Sequence, residues 1–190
     1  MDLLKVAEIT AVILGLIQGV LALMNKRVNW LFYILQMCVL LYFSFRSGLY
    51  GDALNDATYV VWGIAGLYLW GGKSRMITKA SGKERIVYTL LIVLSSFGCF
   101  LYLKSIGDTL PHWDAVTSVI SFVATYYMAV RKTDTWILWL VDDILYVIEY
   151  LLLPTAAIWL ALLNVVWAIM AVLSYYNWKR IMREEQATNR

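Results

Sequence analysis

Thr135-Trp-Ile-Leu-Trp-Leu-Val-Asp-Asp-Ile-Leu-Tyr-Val-Ile-Glu-Tyr150 is long and apolar enough to cross a membrane, yet it contains Asp142, Asp143 and Glu149. A carboxylate in the core of a bilayer costs roughly 2.5–3.5 kcal/mol on insertion scales, so such residues usually face a cavity enclosed by protein. The stretch therefore predicts a membrane helix that lines a polar cavity, and the rest of the chain is expected to form the frame around it.

One face of this predicted helix combines aromatic and acidic side chains. Trp136, Trp139 and Asp143 follow i, i+3, i+7 spacing and lie on one side of the helix. Two indole rings beside a carboxylate suit a flat, polar ligand that carries positive charge. Asp142 points about 100° away and is expected to bond across to a neighbouring helix. Because two adjacent carboxylates do not both ionise easily in a low-dielectric site, proton coupling stays open as an alternative.

The composition places the whole chain in a membrane. Hydrophobic residues make up 62% of the 190 residues, charged residues 15%, and the mean hydropathy is +0.68. A soluble domain of this size could not bury so much apolar surface, and most apolar runs have about 20 residues, the length of a bilayer-spanning helix. The seven predicted transmembrane helices are Leu4–Met24, Asn29–Phe45, Tyr50–Trp70, Ile86–Lys104, Trp113–Val130, Thr135–Leu152 and Pro154–Trp178.

The basic residues fix the predicted orientation. With seven spans, 13 of the 16 Lys and Arg residues fall on one side of the membrane and 3 on the other. Because cytoplasmic loops carry the excess of Lys and Arg, the N-terminus is predicted outside and the C-terminus in the cytoplasm. The net charge of +3 follows from this bias and suits contact with anionic lipid, so no nucleic-acid partner is expected.

Two sequence echoes indicate an internal repeat. Val60-Val-Trp-Gly-Ile64 is echoed by Val165-Val-Trp-Ala-Ile169, and Lys26-Arg-Val-Asn-Trp30 by Arg131-Lys-Thr-Asp-Thr-Trp136, at offsets of 105 and 106 positions. Helices one to three then correspond to helices five to seven in a parallel 3+1+3 repeat, which places a site near the midplane between the halves. The predicted units are a first three-helix bundle (1–71), a basic cytoplasmic loop with linker helix four (72–105), a second three-helix bundle (106–178) and a cytoplasmic tail (179–190).

Polar residues inside the other apolar helices complete the candidate site. Several of them recur on one stripe of helix three. Asp52, at the start of that stripe, is instead expected in water as an N-cap, and Glu149 is either buried or reaches water at the outer end of its helix. The candidate ligand-binding residues are Gln36, Asn55, Asp56, Tyr59, Trp62, Trp136, Trp139, Asp143 and Asn164.

Other residues receive structural interpretations. Tryptophans at the ends of membrane helices usually form a belt at the lipid interface, and this is expected of Trp30, Trp70, Trp113 and Trp178. The sequence has no His/Cys cluster, no Ser/His/Asp set with plausible spacing and no glycine-rich phosphate loop. Neither a metal nor an organic cofactor is expected, and the chain is not predicted to be an enzyme.

Several ordered motifs resemble the PnuC-type vitamin transporter family over nearly the whole chain. They are Leu49-Tyr-Gly-Asp52, Gly66-x-x-x-Trp70, Trp113-Asp114 and Arg131-Lys132 followed by Trp136-x-x-Trp139. The resemblance implies an all-α integral membrane protein with a SWEET-like fold, in which two three-helix bundles enclose one central site. It also implies a homotrimer in the bacterial inner membrane, facilitated diffusion of a vitamin or nucleoside, and a cytoplasmic kinase that traps the product.

The chain departs from the family pattern at several candidate positions. Asp143 stands where the family commonly has Asn, Asp56 lies near a family Gln, and Gln36 lies near a family Asn. Leu67 falls where the first indole of a Tyr-Gly-Trp-x-x-Trp motif is common. Two neutral amides are thus replaced by acids, which bears on the choice of substrate.

The combined features predict a membrane transporter for a nucleoside-like vitamin. Nicotinamide riboside is the first candidate because its cationic ring suits an acid-rich site, and thiamine or a deoxynucleoside is the alternative. A SWEET-like sugar carrier is also considered, since tryptophan stacks on sugars, although a neutral sugar does not explain two acids in the membrane. A seven-helix retinal receptor would need a lysine in helix seven, and Pro154–Trp178 has none.

Overall fold

The computed structural model describes residues 3–71 and 76–188, and these residues form seven α-helices joined by loops. Their number agrees with the prediction, although helix four begins earlier and helix seven begins and ends later than expected. The basic residues Lys73, Arg75 and Arg190 lie outside the described residues. In chain order the helices are α1 (Leu3–Leu23), α2 (Asn29–Ser47), α3 (Tyr50–Leu69), α4 (Gly82–Ser105), α5 (Pro111–Ala129), α6 (Thr135–Leu152) and α7 (Ile158–Thr188).

Helix α4 begins early because a capping box fixes its first turn. The Glu84 amide donates to Ser81 Oγ over 3.2 Å, and the Ser81 amide donates to Glu84 Oε2 over 2.7 Å. Two of the amides left unpaired at a helix start are satisfied in this way. The hydrophobic pattern places the start later because the capping turn is polar.

Helix α7 is displaced towards the C-terminus for two physical reasons. Its first amides, at Trp159 and Leu160, donate to Glu8 Oε1 of α1 over 2.9 and 3.4 Å, so a buried carboxylate sets the start. Beyond the predicted end the sequence is polar but rich in good helix formers. Arg180 and Glu184 form an i, i+4 ion pair there, at 3.8 Å.

Six helices form a closed ring, and α4 lies outside it. Each ring helix packs against two ring neighbours, in the order α1, α2, α3, α5, α6, α7 and back to α1. Helix α4 packs mainly on α5 and touches α3. The ring therefore encloses a central space to which α4 contributes no wall.

The basic loops meet at one end of the ring, here named the basic end. Arg131, in the α5–α6 loop, donates from Nη2 to Asn25 Oδ1 in the α1–α2 loop over 2.8 Å. Arg85 at the start of α4 pairs with Asp134 at 2.8 Å. Burial lowers the pKa of the Arg131 guanidinium, and the nearby negative charge of Glu185 raises it. The loops that the prediction assigns to the cytoplasm are therefore neighbours in space.

The start of α1, the α2–α3 loop, the α4–α5 loop and the α6–α7 loop meet at the opposite end. Glu8 of α1 binds the start of α7, as described above, and the Thr109 amide donates to the Gly48 carbonyl over 3.2 Å. Gly48 has a φ of 78°, the left-handed conformation that ends α2. Successive helices thus alternate in direction, and α1 and α5 both start at this end.

The loops before α2 and α6 follow the same backbone course. Asn25 (φ 55°) and Arg131 (φ 58°) are the non-glycine residues with positive φ among those described, and they lie 106 positions apart. The following amide reaches back five positions to a carbonyl in each loop, over 2.9 Å at Lys26 and 2.8 Å at Lys132. This offset equals that of one sequence echo and supports the register of the predicted repeat.

Each half of the ring also holds a perpendicular pair of indole rings. Trp30 and Trp70 have centroids 5.6 Å apart at 89°, and Trp136 and Trp178 have centroids 5.2 Å apart at 87°. Trp30 and Trp178 have no exposed surface, so the prediction that they belong to an interfacial belt is wrong. Edge-to-face packing between adjacent helices holds them inside, whereas Trp113 stays half-buried.

The outer faces of the helices suit a bilayer. By length and composition, four helices of the described residues can span a membrane, namely α1, α2, α4 and α7. Large apolar side chains such as Leu94, Phe97 and Val61 are exposed on helix surfaces. Helices α3 and α6 turn their acidic residues inwards, where Asp52, Asp56, Asp142, Asp143 and Glu149 are all buried. The other three spans stay a prediction.

Candidate functional site

The central space is a cavity walled by all six ring helices. The cavity has a volume of about 90 Å³. Its polar and aromatic lining residues are Gln18, Tyr33, Gln36, Ser44, Asp52, Asp56, Tyr59, Ser121, Trp136, Trp139, Asp143, Tyr146, Tyr150, Asn164, Trp167 and Ser174. A narrow cavity with this lining suits a small, flat, polar molecule.

Helix α6 presents the face that its residue spacing predicts. Trp136, Trp139 and Asp143 all line the cavity. The Asp143 side chain is 2% exposed and receives no hydrogen bond from the described residues. Asp142 instead accepts a short hydrogen bond from Ser121 Oγ of α5, which is the cross-helix role expected for it.

Helices α2 and α3 form the facing wall. Asp56 Oδ2 accepts a hydrogen bond from Ser44 Oγ over 2.9 Å, which ties the two helices together. Gln36 of α2 is fully buried, and both Gln36 and Tyr59 of α3 line the cavity. Asn164 closes the ring from α7, where its Nδ2 donates to the Leu160 carbonyl over 2.9 Å. Four of the predicted residues are thus placed around one space.

Asp52 belongs to the cavity and does not cap its helix in water. It is 3% exposed, and its Oδ1 accepts a hydrogen bond from the Tyr146 hydroxyl over 2.9 Å. The N-cap of α3 is Leu49, which makes no side-chain capping bond. The prediction that Asp52 is a solvated cap is therefore wrong, because α5 and α6 cover the first turn of α3. Glu149 is likewise fully buried and does not reach water.

Two of the nine predicted residues lie away from the cavity. Asn55 donates from Nδ2 to the Ser118 carbonyl of α5 over 2.7 Å and faces a groove between α3, α4 and α5. Trp62 packs edge-on against Phe122 and Tyr126 of α5, at centroid distances of 6.0 and 5.9 Å. Both residues occupy the flank of α3 that packs on α5, so they support the wall from behind.

Several lining groups have buried polar atoms without a hydrogen-bond partner among the described residues. They are Gln36 Nε2 and Oε1, Asp52 Oδ2, the Tyr59 hydroxyl, Trp136 Nε1, Asn164 Oδ1 and Ser174 Oγ. An unsatisfied buried polar group costs about 1–3 kcal/mol, and native proteins have few of them. Their convergence on one cavity indicates that a polar ligand or ordered water supplies the missing hydrogen bonds.

The list of candidate ligand-binding residues from the sequence does not include three tyrosines of the wall, Tyr33, Tyr146 and Tyr150. Tyr146 and Tyr150 stack at 5.4 Å on α6, and the Tyr33 hydroxyl lies 3.1 Å from Thr125 Oγ1. Trp167 donates from Nε1 to the Gly15 carbonyl over 3.3 Å. Tyr146 and Tyr150 could have been found from the sequence, because they follow Asp143 at i+3 and i+7 and therefore lie on the same face of α6.

The ionisable side chains that line the cavity are all acidic among the described residues, apart from tyrosines. Three carboxylates, Asp52, Asp56 and Asp143, line it, and no lysine, arginine or histidine does so among the described residues. In a poorly hydrated space, opposite charges attract far more strongly than in water. The cavity therefore favours a cationic or neutral guest and disfavours an anion.

A ring of helices with apolar outer faces and a polar, tryptophan-lined centre defines a multi-pass membrane transport protein. The sequence model described as nicotinamide mononucleotide transporter matches residues 5–180. The chain belongs to this family.

Relatives with known names agree with this assignment. The nicotinamide riboside transporter PnuC of Neisseria mucosa is 27% identical over an alignment of 196 positions, and the alignment covers 95% of this chain and 73% of the relative. The PnuC of Haemophilus influenzae is 25% identical over 181 residues, with 89% and 77% covered. A crystal structure of the vitamin B3 transporter PnuC superimposes with a TM-score of 0.82 at 23% identity, over 94% of this chain and 82% of that one. This last likeness shows the fold.

Proposed function

We propose that the protein carries nicotinamide riboside across the bacterial inner membrane by facilitated diffusion. The observation that carries the proposal is the acidic cavity, in which Asp143 receives no hydrogen bond from the described residues and lies in the same wall as Trp136 and Trp139. Nicotinamide riboside combines a flat pyridinium ring, which is positively charged, with a carboxamide and ribose hydroxyls. The names of the Neisseria and Haemophilus relatives support the same substrate.

Each part of this substrate matches a group of the wall. The pyridinium ring stacks on Trp139, where the face of an indole attracts a cation, and the Asp143 carboxylate balances its charge. The carboxamide and the ribose hydroxyls supply donors and acceptors to the unpaired amide atoms of Gln36 and Asn164. Binding then satisfies buried groups that otherwise lack partners.

The same cavity selects against the phosphorylated nucleotide. A phosphate monoester carries a charge of about −1.5 to −2 at neutral pH, and the described lining offers three carboxylates and no basic side chain to receive it. A cytoplasmic kinase that phosphorylates the riboside would therefore trap it, because the product cannot re-enter the cavity. Facilitated diffusion coupled to this trapping needs no ion gradient.

Selectivity between riboside and nucleotide tests the proposal. We expect purified protein, titrated by calorimetry or tryptophan fluorescence, to bind nicotinamide riboside at least about 100-fold more tightly than nicotinamide mononucleotide, a difference of roughly 2.7 kcal/mol. Equal affinity for the two compounds would contradict the electrostatic argument. Failure of the riboside to bind to folded protein would remove it as the substrate.

Thiamine is the second candidate, since its thiazolium ring is also a flat cation that the acidic cavity favours. The same titration distinguishes the two, because thiamine lacks the carboxamide and ribose groups that would pair with Gln36 and Asn164. Thymidine and glucose complete the panel, since both are neutral and gain nothing from Asp143. Preference for either of these two would indicate a deoxynucleoside or sugar carrier.

Alternating access between two three-helix bundles is the expected mechanism. The ring order, the common starting end of α1 and α5, and the matching loops at Asn25 and Arg131 support a 3+1+3, SWEET-like repeat. Rocking of α1–α3 against α5–α7 would open the cavity to each side in turn.

The basic end is assigned to the cytoplasm by its arginines and lysines, which leaves the N-terminus outside. A homotrimer is expected from the family resemblance, and the exposed apolar face of α4 is free to meet lipid or a second copy.

A further inference from the structure

Three buried carboxylates meet beside the cavity, where α3, α5 and α6 come together at the opposite end. One oxygen from each of Asp52, Asp114 and Glu149 lies within 4.8 Å of the others. The three residues are 3%, 0% and 0% exposed, and none forms an ion pair with a lysine, arginine or histidine of the described residues. Buried charges of one sign need a compensating charge, and the described side chains supply none.

Hydrogen bonds to both of its oxygens fix the position of the Asp114 carboxylate. The Gly51 amide donates to Oδ2 over 2.9 Å, and Ser118 Oγ donates to Oδ1 over 3.0 Å. The carboxylate packs directly on the backbone of α3, since a Cβ at Gly51 would come within 2.6 Å of Oδ1. Only glycine at this position allows the close approach, which brings the carboxylate of α5 to the start of α3.

The other two carboxylates each have one oxygen engaged and one free. Asp52 Oδ1 accepts a hydrogen bond from the Tyr146 hydroxyl, and Glu149 Oε2 accepts one from Thr117 Oγ1, both over 2.9 Å. Asp52 Oδ2 and Glu149 Oε1 are buried and receive no hydrogen bond from the described residues. Two carboxylates are thus oriented through one oxygen and present the other without a partner.

The dipole of its own helix does not stabilise a negative charge on Glu149. Asp52 and Asp114 lie in the first turns of α3 and α5, where the partial positive charge of a helix start stabilises an anion. Glu149 lies in the last turn of α6, which ends at Leu152, where the partial negative charge of the helix end opposes a carboxylate. A bound cation beside Glu149 would offset this unfavourable interaction.

We propose that Asp52, Asp114 and Glu149 form a binding site for a hard divalent cation of the size of Ca²⁺. All the donor atoms are oxygens, which such cations prefer, and Ca²⁺–oxygen distances of about 2.3–2.6 Å agree with ligand oxygens separated by up to about 5 Å. The shorter Mg²⁺ bonds, about 2.0–2.1 Å, would require a tighter group. The bound ion links α3 to α5 and α6, and so joins the two halves of the ring at this end.

Thermal unfolding of the full-length protein in detergent, with CaCl₂ against EDTA, tests the site through its tryptophan fluorescence. We expect Ca²⁺ at about 100 times its Kd to raise the Tm by roughly 5 °C or more, and equilibrium dialysis with ⁴⁵Ca²⁺ to show one ion per chain. Glu149→Gln keeps the oxygen that accepts from Thr117 but removes the charge. It should weaken Ca²⁺ binding at least tenfold and so reduce the shift at the same Ca²⁺ concentration by about half or more.

Glu8→Gln is the matched control, because Glu8 is a buried carboxylate of a different helix end, outside this group. It should retain the full response to Ca²⁺. The proposal is overturned if Ca²⁺ neither stabilises nor binds the unmodified protein, if Glu149→Gln responds as the unmodified protein does, or if Na⁺ or mild acid gives the same shift as Ca²⁺. Because binding of the unmodified protein is measured directly, the result does not depend on the variant folding, and it is independent of the transported substrate.

Discussion

Replacing Asp143 by asparagine is expected to weaken the binding of nicotinamide riboside roughly 10- to 100-fold. Asparagine has nearly the shape of aspartate but no charge, and an interaction with a charged partner contributes about 1.5–3 kcal/mol. Asp143 lines the cavity on the same helical face as Trp139 and has no donor among the described residues. The loss should therefore appear as a higher Kd in calorimetry, with little change in Tm.

The neighbouring carboxylate provides the control. Asp142→Asn removes the same charge one residue away, but Asp142 does not line the cavity and binds Ser121 of α5. The amide oxygen of asparagine can still accept that hydrogen bond, so the affinity for the riboside should stay within about threefold. Equal losses in the two variants would mean that Asp143 has no direct role, and unchanged affinity in Asp143→Asn would remove it from the site.

Gly66→Ala is expected to be the most destabilising small substitution in the ring. A Cβ at Gly66 would overlap the indole of Trp30, with Cε3 only 2.6 Å away. Trp30 is completely buried and held edge-on by Tyr33 and Trp70, at 5.5 and 5.6 Å, so it cannot move aside. Overpacking of this kind costs about 1–3 kcal/mol or more, and the Tm should fall by roughly 10 °C.

Gly98→Ala is the matched change on the outer helix. Nothing lies within 4 Å of a Cβ at Gly98, and alanine forms helix better than glycine by up to about 1 kcal/mol. The Tm of this variant should stay the same or rise slightly in the same detergent. A Gly66→Ala protein as stable as Gly98→Ala would show that α2 and α3 do not pack as closely as described.

The residues of the site were easiest to predict from the sequence where several of them lie on the same helix. The spacing of Trp136, Trp139 and Asp143 depends only on the helical period, and the three side chains do share a wall. On α3 the period leaves the orientation of the helix open. Asn55 and Asp56 are adjacent, about 100° apart, and the position of α5 decides that Asn55 turns out of the cavity.

Long-range contacts set the remaining features, and a single sequence does not show them. The start of α7 depends on Glu8, 151 positions before Trp159. Asp52 looked like a solvated helix cap because its burial depends on residues of α5 and α6. The interfacial position of Trp30 and Trp178 was a reasonable expectation from their place in the sequence, but the indole pairs between adjacent helices override it.

Uptake of labelled nicotinamide riboside by proteoliposomes that contain the purified protein tests the central claim most directly. We expect saturable, protein-dependent uptake down the concentration gradient, competed by unlabelled riboside, not competed by the mononucleotide at equal concentration, and strongly reduced by Asp143→Asn. Uptake no faster than in empty liposomes, from protein that is folded and correctly inserted, or equal competition by the mononucleotide, would contradict the assignment of the acidic cavity as the path of a cationic nucleoside.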